Sequence, residues 1–229
     1  MNTIKCIKLG TILTGVLALT AVSAKADPII YNNNATPINT TLYSDPGFST
    51  YGRVMADDFI LVPDHNCITD VHWIGGYVFG NTPSTPDQFT IRIFSDSAGV
   101  PNNSLPPIDV AYINLARTVA GSLFSTTLYA YTADVVPAIK LPAGTPFWLS
   151  IVNDTTADTD DNWVWAGNSA GGNAVTQHSA DDPTDTWHQG ASRMDFQLTG
   201  PAVPEPSAGL LIVSSGVACL LKRRRPSFR

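Results

Sequence analysis

The sequence predicts an all-β protein: a single jelly-roll-like β-sandwich with an N-terminal signal peptide and one C-terminal membrane helix. Three observations predict it. Short runs of alternating apolar and polar residues recur through the body, separated by Pro, Gly, Asn and Asp clusters. Of 19 acidic residues 18 are Asp and only Glu205 is Glu. Asp suits turns and hard-cation sites, whereas the helix-favouring Glu is missing from the body. Finally, each end of the chain carries an apolar run beside cations.

At the N-terminus, Lys5 and Lys8 precede an apolar core, Leu9 to Val22, and Ala24-Lys25-Ala26 forms a small-x-small cleavage site. Residues 1–26 are therefore assigned to a signal peptide, with Ala24 and Ala26 marking cleavage. The mature chain begins at Asp27, and residues 27–200 form one extracellular domain, long enough for a substantial core.

Within that domain the strands follow in order. Asp58 to Val62, Val71 to Gly75 and Phe89 to Ile93 come first, the last with Phe89, Ile91 and Ile93 on one face. Val110 to Leu115, Leu128 to Thr132, Pro146 to Val152 and Asn162 to Trp165 follow. A closing strand alternates Met194, Phe196 and Leu198 with Arg193, Asp195, Gln197 and Thr199. Turns are expected at Asn81 to Pro86, Ser95 to Pro107 and Asn168 to Asn173. Strands at this spacing suggest two packed sheets.

Charge narrows the partners. Residues 27–206 hold five cations (Arg53, Arg92, Arg117, Lys140 and Arg193) against all 19 acids, a net charge of −14. Phosphate binding needs the opposite sign, so nucleic acid is excluded as a partner. Cys6 falls in the signal peptide and Cys219 in the tail. Cys67 is then a lone thiol with nothing to staple, read as a small buried hydrophobe.

The C-terminal apolar run, Ala208 to Leu221, has 14 residues. As a helix it would be about 21 Å long, against roughly 30 Å of bilayer hydrocarbon. Lys222, Arg223, Arg224 and Arg225 follow it and mark the cytoplasmic side. Val203-Pro204-Glu205-Pro206 precedes it, and the two prolines hold Glu205 extended and outside the helix. This order of proline motif, short apolar helix and Arg cluster over residues 201–229 resembles the PEP-CTERM sorting signal of Gram-negative bacteria. The resemblance implies a transient membrane handle, processed by an exosortase-like membrane enzyme, and an association with exopolysaccharide. The body also resembles those of many PEP-CTERM proteins of unknown function. The likeness lies in Asp57-Asp58-Phe59, the corner from Phe94 to Pro101, Pro146 to Ile151 and Asp195 to Gly200. It implies a sandwich and no named activity.

Candidate chemistry is sparse. Gly167-Asn168-Ser169-Ala170-Gly171 matches G-x-S-x-G, yet Gly171-Gly172-Asn173 would break the helix that a nucleophile elbow needs. It reads better as a glycine-rich turn. The histidines His65, His72, His178 and His188 have no metal-ligand spacing. Asp154, Asp158, Asp160 and Asp161 crowd one loop, where mutual repulsion is relieved either by full solvation of the loop or by a bound Ca²⁺. It is no EF-hand, since Trp163 stands where the loop glycine belongs. Trp163 and Trp165 share a core-facing strand face, and Trp148 sits on a strand covered on both sides. Trp187, in polar surroundings, is the expected exposed platform for a sugar ring.

These readings converge on a non-catalytic exported protein of the cell envelope or extracellular matrix, anchored at its C-terminus before processing. Its expected contacts are exopolysaccharide or matrix glycans. A carbohydrate-binding module is the first alternative, and a secreted serine hydrolase using Ser169 the second.

Overall fold

The computed structural model describes residues 27–48, 52–78, 86–157, 161–177 and 186–201. The signal peptide with Ala24 and Ala26, the sorting signal from Val203 to Arg225, and Asp158 and Asp160 lie outside them. All regular structure among the described residues is β-strand. The strands are β1 (Ile29–Asn32), β2 (Thr40–Tyr43), β3 (Val54–Ile60), β4 (Cys67–Val78), β5 (Phe89–Ser95), β6 (Ile108–Asp109) and β7 (Tyr112–Leu123). They continue with β8 (Thr126–Lys140), β9 (Pro146–Asn153), β10 (Asn162–Asn168), β11 (Val175–Gln177), β12 (His188–Gln189), β13 (Arg193–Met194) and β14 (Phe196–Thr199).

These strands form two antiparallel sheets. The smaller runs β12-β11-β3-β9-β5-β6. The larger is built on β4, with β8 and then β7 along one side; β14 and β10 share the other side, pairing with successive halves of β4. β1 extends the sheet beyond β14 and β2 extends it beyond β10, while β13 pairs with the end of β10 on the edge that β4 also uses. The two sheets face each other as a β-sandwich.

Alternation explains the core. Side chains on a strand point to opposite faces in turn, so Val71, Trp73 and Tyr77 of β4 enter the interior while Asp70, His72 and Ile74 face out. Tyr131, Ala133 and Val135 do the same on β8, and Phe196 and Leu198 on β14. The smaller sheet answers with Met55, Phe59, Phe89, Ile91, Leu149 and Ile151. Aromatic rings lock the layers together. Trp73 stacks on Tyr131 at 5.3 Å and meets Phe89 edge-on at 4.9 Å, geometries that the ring quadrupoles favour. Gly75 makes room for this packing: a Cβ there would lie 2.5 Å from Cζ2 of Trp163.

The opposite face of the smaller sheet is buried too. Val54, Ala56, Phe94, Trp148, Val152, Val175 and Trp187 form a second apolar cluster. β9 is therefore covered on both sides, as its run of apolar residues predicts. Trp163 and Trp165 are fully buried in the main core, also as expected.

Two expectations change. The short strands at Val110 to Leu115 and Leu128 to Thr132 belong to one long hairpin, β7 and β8, of 12 and 15 residues. Its outer part is solvated on both faces, so no apolar alternation marks it in the sequence. Cys67 is half-buried at the start of β4, not enclosed in the core.

Candidate functional site: a groove on the outer face of the larger sheet

The register of the larger sheet builds a row of outward side chains across four strands. Ala116 of β7 opposes Thr132 of β8, Thr132 opposes His72 of β4, and His72 opposes Gln197 of β14. A second row joins Thr118, Ala130 and Ile74. Polar and small apolar groups are thus interleaved on one surface.

Residues 33–39, between β1 and β2, wall this surface on one side. They are pinned from three directions. The N–H of Asn33 donates to the Phe196 carbonyl at 2.9 Å, and that of Asn39 to the Gly167 carbonyl at 3.0 Å. Between them the N–H of Ala35 donates to Oδ2 of Asp195 at 3.1 Å. The result is a groove of about 560 Å³, bounded by Asn34, Thr36 and Ile38 on the wall and by the two rows on the floor.

The groove's electrostatics are close to neutral. Burial pushes the His72 imidazole below its usual value, against the pull of the Asp70 and Asp134 carboxylates. Burial raises the Asp195 carboxyl, with the Ala35 N–H opposing it. An imidazole, three threonine hydroxyls and the Asn34 and Gln197 amides offer donors and acceptors, and the two charged-type side chains of the lining, Arg117 and Asp195, are of opposite sign. Such a surface suits a polar, uncharged ligand of modest size.

Behind the wall lies a buried carboxyl. Asp57 of β3 accepts from Nδ2 of Asn33 and from the N–H of Met194, each at 2.7 Å. Burial nevertheless pushes its pKa up to about 7, and the neighbouring Asp58 adds to the rise. Asp57 is 1% exposed, so it holds the wall and the closing strand in place and is sealed from any ligand.

The residues singled out from sequence fall elsewhere. Trp187 is a correction: it is 8% exposed, edge-on to Phe94 at 5.7 Å, with its Nε1 donating to Oδ1 of Asn103 at 2.8 Å. Its polar sequence neighbours point to solvent while the ring covers the smaller sheet, so it offers no exposed sugar platform. Ser169 is exposed on a turn after β10, where Gly171 takes a φ of 74°. Residues 170–177, which follow it, contain no helix.

In the acidic loop, Oδ1 of Asp154 accepts from the N–H and the hydroxyl of Thr156 at 3.0 and 2.7 Å. Asp154 is exposed, whereas Asp161 is 3% exposed. Among the described residues no group of three or more His, Cys, Asp or Glu could hold a metal ion. Asp158 and Asp160 are outside that search.

His72, Thr132 and Gln197 were not anticipated as a site. The alternation of His72 with Val71 and Trp73 shows that it faces away from the core. Nothing local to the sequence shows which strands lie beside it.

No family model matches the chain, and no curated protein matches it. Among solved structures it is similar to the crystal structure of the cysteine protease and lectin-like domains of Cwp84, a surface layer associated protein of Clostridium difficile. The identity is 14% and the TM-score 0.42, over 66% of this chain and 32% of that one. The chain thus spans about a third of that protein's solved length.

Proposed function

We propose that this is an exported, non-catalytic envelope or matrix protein whose jelly-roll-like domain binds a neutral glycan in the groove over β4, β8 and β14. The groove itself carries this reading: about 560 Å³ lined by hydroxyl, amide and imidazole groups around Ile74, Ala116 and Ala130, with Arg117 and Asp195 of opposite sign at its margin. Sugars present hydroxyls along their edges and C–H patches on their faces, and this mixture of groups complements both. The body's net charge of −14 disfavours polyanions. Export rests on the basic and apolar N-terminus, and processing on the tail that resembles a PEP-CTERM signal.

Titration calorimetry of the chain against neutral oligosaccharides from bacterial exopolysaccharide tests the groove. Binding should be lost in Thr132→Trp, which fills the groove from its floor without touching the core. Equal affinity in both proteins would place the ligand elsewhere, and absence of heat with every neutral glycan would reject the reading. The tail is tested by intact mass of the native protein, which should end near Pro206. Molecules retaining Arg223 to Arg225 would be ordinary tail-anchored proteins.

A further inference from the structure

The larger sheet ends in β7, a 12-residue strand that among the described residues pairs with β8 alone. Its other side presents backbone N–H and C=O groups to solvent, a template for a further strand. Protein edges are usually guarded by charge, proline or brevity. The edges of the smaller sheet obey this, since β6 and β12 have two residues each. β7 contains no acidic residue, no lysine and no proline. Two register irregularities, between Ile113 and Ala116 and between Val119 and Gly121, leave a regular run from Ala116 to Val119 between them.

Charge says what can approach. Every acid of the chain lies within residues 27–206, yet none lies between Ala111 and Ala133. Arg117, the one cation in that stretch, is neutralised: its Nη1 lies 3.1 and 3.0 Å from the two Asp87 carboxylate oxygens. Two copies of a domain with net charge −14 repel each other over most orientations, and the β7 edge is where that repulsion is least. Val119 is 70% exposed there and Phe124, at the hairpin tip, 78%, more apolar surface than a solvated edge requires.

We infer that β7 is a self-association edge, pairing antiparallel with β7 of a second copy so that Thr118 lies opposite Thr118 of its partner. Such an isologous contact closes on itself and gives a dimer. Only an extended strand satisfies the open backbone groups, and a second copy supplies one of identical, acid-free sequence. The pairing joins the two larger sheets edge to edge. Because Ala116 and Thr118 line the groove, it also brings two grooves side by side across the seam, a trough suited to a long polymer. The dimer stands independently of whether that groove binds glycan.

Sedimentation velocity of the full chain in neutral detergent, without glycan, tests the edge. The mass should rise from monomer to dimer with concentration, and Val119→Asp should weaken the dimer at least about tenfold by adding an acid from each copy beside the seam. The side chain is exposed, so the melting temperature of Val119→Asp should match that of the unsubstituted chain. Copies carrying Thr118→Cys should form an intermolecular disulfide above the background set by the chain's own cysteines, whereas Leu105→Cys, on the exposed loop before β6, should not. A chain monomeric throughout overturns the inference. So does a dimer that Val119→Asp leaves intact, which would belong to the apolar tail, and so does equal cross-linking at both positions.

Discussion

Asp45 and Trp163 are 118 residues apart in sequence, and the backbone N–H of Trp163 donates to Oδ2 of Asp45 at 2.8 Å. The same carboxylate accepts from the N–H of Gly47 at 2.8 Å and from the N–H and hydroxyl of Thr155. Asp45 is 0% exposed, so it ties the segment after β2 to the loop before β10 with no help from water. Asp45→Ala should cost about 3 to 5 kcal/mol by stranding buried donors, and Asp45→Asn somewhat less, since one oxygen survives. Urea denaturation checks both; losses below about 1 kcal/mol would mean that the donors find other partners.

Asp57 makes stability depend on pH. Its folded-state pKa, about 7, lies above the model-compound value of 3.8. Between these limits the folded protein keeps a proton that the unfolded chain releases. Stability therefore falls as pH rises through that window and levels off above it, by roughly 4 kcal/mol in all. Asp195, raised in the same direction by burial, adds to the slope. Denaturation at pH 5 and pH 8 should show the more acidic sample to be the more stable. Asp57→Asn should flatten the difference whatever it costs in absolute stability. A profile rising from pH 5 to 8 would mean that Asp57 stays ionised in the fold.

Trp187→Ala should behave as a core mutation. The ring is packed on Phe94 and bonded to Asn103, and truncating a buried tryptophan costs about 3 to 5 kcal/mol. Thermal unfolding should reveal a large drop, with glycan affinity unchanged in whatever fraction remains folded. Wild-type stability combined with lost binding would return Trp187 to the role of an exposed platform.

Gly75→Ala tests the contact between β4 and β10. Its Cβ would meet Cζ2 of Trp163 at 2.5 Å and the Val164 carbonyl at 2.7 Å. Neither a fully buried indole nor a strand backbone moves freely, so a loss of about 1 to 3 kcal/mol is expected. A neutral effect would show that the indole has room to turn.

Alternation alone decided the faces. Val71 and Trp73 against His72, Phe196 and Leu198 against Gln197, and Trp163 with Trp165 could all be assigned to inside or outside from sequence, because a strand's period of two is a local property of the backbone. The all-β character was legible for the same reason, helped by the Asp-rich, Glu-poor composition. What only the tertiary structure decided is adjacency. His72 meets Thr132 and Gln197 through a register that joins positions 60 and 125 residues away, and Asp57 is sealed by Asn33 and Met194 from opposite ends of the domain. Trp187 reads as exposed from its neighbours, yet Phe94 of β5 and Asn103 of the loop after it reach the ring. Burial and register are sums over distant segments, so a window of sequence carries the direction of each side chain but not the partner waiting there.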